Sequence, residues 1–455
     1  MKSTLFILII ILNISALNAK EKYLIVTNEK YYNSEILNEF IEYRSVDFKV
    51  EKVLNTTIGD ISEDFRSYIM KEIPAYVLLV GNYSDFPAKT IPYPKPVESY
   101  NYWVAEQVDS LFRITIPIGL FFVENEVELE NMVSKTIRFE QNSEEIPQKL
   151  YTHSGSIEPL HPWPLDFNDE LLNEMYDLFF KNNGFLHRHE TSLDETPNDA
   201  ISDVQAINNG VKYILYHGHG NIQKWTYGMG VQGIEYLVND EYFPIIFSAS
   251  CLTGTFTGKI GVMEAECFAT KMIASKNGGV AFVGAFNESG RGQNPLLNGF
   301  CKAVNDNANT RLGEALLHAF NSQELPETAI KYYPHVEAPL FNRARLQFHL
   351  FGDPALKIHY SSSSVKNNDL TGSVTISPNP ASDYIEISSS SINPTVNRRV
   401  DESSDIKIFN TLGECVVTVE TRHAVSLQRI DVSHLPVGLY IIKIGNFVEK
   451  FMVVR

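Results

Sequence analysis

The sequence predicts a doubly wound, mostly parallel α/β unit in two halves, followed by a small all-β sandwich. Three observations carry that reading. Short, nearly unbroken apolar runs such as residues 75–81 and 245–248 alternate with stretches of helical period, the pattern of a sheet buried on both faces. Four serines at 361–364 and the polar run 366–369 break that pattern, as a linker does. Beyond them only short alternating strands with turn residues follow. At 455 residues the chain exceeds one ordinary domain, and its boundaries read as 1–19, 20–150, 151–360, 361–372 and 373–455.

The elements follow in order. Residues 22–27 read as the first strand, and 35–43 place Ile36, Leu37, Phe40 and Ile41 at helical spacing. Residues 48–50 and 61–71 repeat strand and helix, and 75–81 is an apolar strand closed by Gly81. A strand end at 116–121 precedes a helix over 126–141, whose face carries Leu129, Met132, Val133 and Ile137. After Pro147 come a proline-bearing loop at 159–164, a helix at 169–182, strands at 211–216 and 245–248, a helix from about 264 to 275 and a strand at 279–283. Repeated strand–helix–strand units imply winding on both faces of one sheet. In the tail, 373–377, 384–388, 406–410, 415–420 and 439–444 are short strands of a sandwich.

Met1-Lys2-Ser3-Thr4, the apolar stretch 5–12 and the small residues Ala16 and Ala19 before Lys20 read as a secretory signal peptide cleaved after Ala19. That apolar stretch is too short for a hydrocarbon core that takes about 20 residues. With no longer apolar stretch elsewhere, the mature chain is expected to carry no transmembrane helix. A net charge of −17 argues against nucleic acid as a partner, since phosphate contacts need a basic face. Cys251, Cys267, Cys301 and Cys415 are too scattered for a disulfide framework and show no zinc spacing. Cys267 and Cys301 could bridge in an oxidising compartment, although buried inert thiols are the simpler reading.

Two strand ends hold the chemistry. The apolar run before Tyr216-His217-Gly218-His219-Gly220 is followed by a second run that ends in Ser248-Ala249-Ser250-Cys251. Residues just after neighbouring parallel strands face one crevice, and a thiol beside an imidazole is the makings of a nucleophile with its general base. His217 continues the strand and reads as structural; His219 lies beyond Gly218, where the chain can leave the sheet. Backbone N–H groups of Gly220 and Cys251 are the candidates to hold an oxyanion. This chemistry requires no cofactor and takes protein or peptide substrates.

The same residues carry a family resemblance. Tyr216 to Asn221 with Trp225 just after, Phe247 to Phe256, Glu266-Cys267-Phe268-Ala269 and 278–285 resemble the catalytic core of the gingipain family of bacterial cysteine endopeptidases, as do 76–81 and 351–356. The resemblance spans roughly residues 21–360 and implies a caspase-like fold with His219 and Cys251 as the catalytic pair. It also implies an acidic group that orients the histidine, for which Glu158 is the nearest match, and an acidic S1 residue, for which Asp169 is the counterpart. On its own, Glu158 reads as a surface glutamate and Asp169 as a helix N-cap. Trp225 is placed beside the substrate. Structural calcium is implied as well, without a D-x-D-x-D-G loop to hold it.

Departures from the family pattern are Leu120, where relatives often have Arg, Thr270, where a glutamate commonly follows, and a first core strand starting at Tyr23 with no long propeptide before it. The tail follows the motif order of the C-terminal sorting domain of the Bacteroidetes type IX secretion system, with Ser377-Pro378-Asn379-Pro380, Leu412-Gly413 and Pro436-Val437-Gly438-Leu439-Tyr440. That resemblance implies export through the periplasm to the surface or medium, with the secretion machinery as partner. Two other functions fit the same sequence: a transpeptidase of the same fold and a non-catalytic caspase-like surface protein.

Overall fold

Residues 22–27 are apolar enough to bury both faces, and they form the strand β1 (Lys22–Thr27) of a ten-stranded sheet. This computed structural model describes residues 20–454 except 93–95, 109, 143–144, 156–166, 193–196, 261–262, 307–309, 333–337, 359–373, 378–380, 390–405, 411–414, 420–426 and 445–446. The expected signal segment 1–19 and linker 361–372 lie outside the described residues. The chain divides into two compact units that meet between Tyr360 and Ser361.

In the first unit, the helices α1 (Glu35–Ser45) and α2 (Ser62–Glu72) separate β1, β2 (Lys49–Leu54) and β3 (Tyr76–Gly81). Strand β4 (Ile118–Phe122) leads into helix α3 (Glu126–Gln141), whose N-cap Asn125 accepts a hydrogen bond from Glu128 N–H at 3.1 Å. Next come β5 (Lys149–Gly155), helix α4 (Phe167–Met175), β6 (Leu186–Ser192), helix α5 (Pro197–Asn208), β7 (Tyr213–Gly218) and β8 (Ile245–Ala249). Helix α6 (Phe268–Ala274), β9 (Ala281–Ala285), α7 (Gln293–Asp306), α8 (Leu312–Asn321), α9 (Ala338–Gln347) and β10 (Phe348–Phe351) complete the unit.

The sheet order is β6-β5-β7-β8-β9-β10-β4-β3-β1-β2. Every residue of β3, β4, β8 and β9 is buried, so both faces are covered, as the continuous apolar runs require. All pairings are parallel except β9 with β10. Because β10 is parallel to β4, the strands of the two halves run in opposite directions.

Several local expectations are corrected. The helix expected from 264 starts only at Phe268, because Met263–Glu264 pairs with Lys259–Ile260 as a small hairpin. The helix expected over 169–182 begins at Phe167, and its end passes through a π turn at Tyr176–Phe180. The crossover from β7 to β8 holds a 3₁₀ segment, Val231–Tyr236, and no α-helix.

One buried ionic cluster ties the first unit together. Arg44 on α1 reaches Glu140 on α3 through Nη1 and Nη2 at 3.0 and 2.9 Å, and its Nε donates to Asp353 at 2.7 Å. Tyr23 on β1 donates its hydroxyl to the same aspartate at 2.8 Å. Asp353 follows β10 in the segment Phe351-Gly352-Asp353-Pro354, so this motif locks the exit of that strand onto β1 and α1. Burial alone would lower the basicity of Arg44, but the carboxylates of Asp353 and Glu140 hold it well above the ordinary arginine range.

The second unit has two antiparallel sheets. One is built of β11 (Val374–Ser377), β12 (Tyr384–Ser389) and β15 (Leu427–Asp431), and the other of β14 (Cys415–Val419), β13 (Ile406–Phe409), β16 (Gly438–Ile444) and β17 (Phe447–Val453). Ile385 and Ile430 from the first meet Ile406, Ile408, Ile442 and Phe451 from the second in one core. The alternating strands expected in the tail are therefore present as a small all-β domain.

Candidate active site

Strands β7 and β8 pair in parallel with His217 opposite Ala249. Continued by two residues, one past the end of β7 and two past the end of β8, that register would set His219 beside Cys251. Gly220 confirms the proximity of the two segments. A Cβ added there would lie 2.8 Å from both the carbonyl oxygen of Cys251 and Ser250 Oγ, so only glycine lets them approach this closely. His219 is exposed and Cys251 half-buried.

Both loops are fixed from behind. The carbonyl of His219 accepts from Tyr216 Oη at 2.8 Å and from Thr226 N–H at 2.9 Å. Under Cys251, the hydroxyls of Ser248, Ser250 and Thr253 cluster at 2.8–3.3 Å. Leu252 takes a left-handed φ of 68°, and its N–H donates to Asn287 O at 3.3 Å. A non-glycine residue in that region stores about 1–3 kcal/mol of strain, and such strain clusters where side chains must be aimed.

A third loop, after β9, reaches the thiol. The N–H of Ser289 donates to Cys251 Sγ at 3.4 Å, while the Ser289 hydroxyl donates to Gln293 Oε1 at 2.5 Å. The Gln293 amide lies 3.3 Å from His217 Nε2. His217 Nδ1 is 2.8 Å from Asn168 Oδ1, whose amide nitrogen already donates to Gly155 O, so the imidazole proton sits on Nδ1. Nε2 is then an acceptor. Asn294 Oδ1 is drawn 2.9 Å from it, while the Asn294 amide nitrogen is buried and has no partner among the described residues. Turning that amide over lets its nitrogen donate to Nε2.

Burial pushes the His217 imidazole down to about 4. His349 on β10 is likewise buried and pushed down to about 3. Both rings therefore bind a proton more weakly in the folded chain than the ordinary imidazole of an unfolded one, near 6.5. Stability is full above about pH 6.5 and is lost as the pH falls from there toward 4, at up to about 1.4 kcal/mol per pH unit for each ring. Melting curves should show Tm falling steadily through that window. An unchanged Tm between pH 6.5 and 5 would contradict the burial of neutral rings.

The other expected site residues take different places. Trp225 does not face a cleft: it is fully buried, stacked on Tyr216 at 4.5 Å, with Nε1 donating to Ser248 Oγ at 2.8 Å. It is a brace between the histidine and cysteine segments. Asp169 lies in the first turn of α4, inside the helix and not at its cap. Its Oδ1 accepts from Thr191 Oγ1 at 2.9 Å, contacts Ser154 Oγ and lies 2.9 Å from His189 Nε2. Burial pushes this carboxyl up, but those bonds outweigh it and leave it below the ordinary range. Glu158 lies outside the described residues.

Cys267 and Cys301 are buried free thiols, both pushed up by burial, and are not bridged to one another. Among the described residues no three His, Cys, Asp or Glu side chains gather in a group that could hold a metal ion. No helix among them is long and apolar enough to cross a membrane.

Ser289, Gln293, Asn168 and Asn294 were not singled out from the sequence. The only signal for Ser289 is its place four residues past the apolar strand that ends at Ala285.

The model of peptidase family C25 matches residues 16–359, and that of the secretion system C-terminal sorting domain matches residues 375–453. The chain belongs to peptidase family C25 and ends in a sorting domain. Gingipain R2 of Porphyromonas gingivalis is 25% identical over 257 residues, which cover 51% of this chain and 33% of the relative. Gingipain R1 of the same organism is 25% identical over 257 residues, covering 51% of this chain and 24% of the relative. The chain thus spans no more than about a third of the length of these curated relatives. The crystal structure of the Arg specific cysteine proteinase gingipain R shares the fold, with a TM-score of 0.60 at 17% identity over 96% of this chain and 98% of that one.

Proposed function

We propose that the chain is a cysteine endopeptidase in which Cys251 is the nucleophile and His219 the general base and acid. The observation that supports this is the parallel register of β7 and β8, which pairs His217 with Ala249 and, if continued, sets His219 beside Cys251 at the carboxyl ends of neighbouring strands. His219 takes the thiol proton, and the sulfur forms a bond to the scissile carbonyl carbon. The C–N bond then breaks as His219 returns the proton to the leaving amine, and water cleaves the thioester to regenerate the thiol.

His217 is unsuited to that role. Burial and its three amide partners keep it neutral, and it has no room to gain the proton a base must hold. The Ser289 N–H donates to Sγ at 3.4 Å and so helps to fix where the sulfur sits.

The backbone N–H groups of Gly220 and Cys251 are proposed to hold the oxyanion. Gly220→Ala should lower kcat on the order of 100-fold, with KM little changed, because the added carbon forces the two loops apart. An unaltered kcat would remove Gly220 from the oxyanion site. Labelling tests the whole reading: a peptidyl chloromethylketone under reducing conditions should alkylate Cys251 in the wild type and not in His219→Ala. An unlabelled Cys251 would favour a non-catalytic protein, and amide products formed with added amines would favour a transpeptidase.

Protein or peptide substrates follow from this chemistry, with Asp169 and Glu158 proposed for the S1 and histidine-orienting roles. The sorting domain supports export through the periplasm to the cell surface or medium of a Bacteroidetes-type bacterium, with the type IX machinery as partner.

A further inference from the structure

A cavity of about 690 Å³ opens beside the nucleophile loop, within the 300–1,000 Å³ range of built ligand pockets. Its floor is aromatic: Tyr83, Phe86, Tyr100, Phe256 and Phe286 line it, with Ala88 at its wall. Tyr100 and Phe256 stand 5.0 Å apart and Phe256 and Phe286 4.8 Å apart, so the rings form one continuous surface. Glu98, Lys259 and Asn287 supply polar groups.

Two of its walls belong to the loops that shape the nucleophile. Phe256 lies five residues beyond Cys251 in a loop pinned by Gly254 N–H donating to Ala285 O at 2.9 Å. Asn287 accepts from Leu252 N–H and donates its side-chain amide to Pro96 O at 2.8 Å, tying the cavity's outer rim to the residue next to the thiol. Ser289, two residues on, donates to Sγ itself. The aromatic chamber thus shares two of its loops with the nucleophile.

We propose that this chamber is a substrate subsite that takes one aromatic or large aliphatic side chain of the bound polypeptide, at a fixed position flanking the scissile bond. This rests on the peptidase reading above and names its substrate class. Burying such a side chain, in place of alanine, is worth on the order of 10- to 100-fold in kcat/KM.

The test uses the full chain on a diverse peptide library, with cut sites read by mass spectrometry, and then on matched peptides that differ only at the selected position. Phe, Tyr, Leu or Met should be enriched at one position, and the apolar peptide should exceed its alanine analogue in kcat/KM by about 10- to 100-fold. Ala88→Trp, which fills the chamber, should bring that ratio close to one. Being a ratio on one enzyme, it does not depend on how much of the variant folds. Cuts without positional enrichment, or a ratio that survives Ala88→Trp, overturn the subsite alone. No cutting by the wild type, or cutting that persists in a Cys251→Ala variant, overturns the peptidase reading and the subsite with it.

Discussion

Replacing Cys251 by Ala is expected to lower peptide hydrolysis by at least about 10⁴-fold while leaving Tm within about 2 °C of the wild type. The size of the loss follows from the proposed role of the thiol, which forms the covalent intermediate. The small structural effect follows from its setting. Cys251 is half-buried, its sulfur makes only long contacts to Ser289, and the loop is held independently by the hydroxyls of Ser248, Ser250 and Thr253. Steady-state kinetics and a melting curve on the same preparation check both halves. Full hydrolysis by the variant would remove the nucleophile assignment, and a collapse in Tm would make the loss uninformative about chemistry and contradict the independent support of the loop.

The largest effect on stability is expected at Arg44. Arg44→Met removes the cation from between Glu140 and Asp353, leaving two carboxylates in a site where the arginine is 1% exposed and Asp353 fully buried. Breaking a buried ion pair from one side costs about 3–5 kcal/mol, which corresponds to a fall in Tm of roughly 5–10 °C for a unit of this size. The cost is one of desolvated charge and not of lost packing, since methionine fills much of the same volume. The triple variant Arg44→Met, Glu140→Gln, Asp353→Asn should therefore recover part of the loss. A single variant that melts within 2 °C of the wild type would show that the cluster is not a stabilising hub.

The sequence disclosed what depends on local pattern. The burial of β3 and β8 was legible because apolar runs of that length have few other uses, and α3 was legible because Leu129, Met132, Val133 and Ile137 recur at helical spacing. The pairing of the strands that lead into His219 and Cys251 was legible because both are apolar runs that end in a like way, and β7 and β8 are parallel neighbours. Other features depend on long-range contacts that leave no local trace. Strand β5 went unseen since Lys149–Gly155 mixes Thr, His and Ser with its apolar residues, yet those polar side chains are buried against partners from β6 and α5. Trp225 read as a substrate contact because an aromatic next to a catalytic segment fits either role, and only its bond to Ser248 decides the matter. Ser289 could not be found at all, because its contribution is a backbone N–H that any residue supplies.

The position of β10 has a consequence for how the chain assembles. Residues 348–351 are the last strand of the first unit, yet they lie at the seam between its two oppositely directed groups of strands. Until that keystone arrives, each group presents an open border to solvent, and a ribosome must have passed more than three hundred codons before the seam can close. Closure that waits on such distant partners is slow, so both borders stay open to pairing until the end of the first unit has been made.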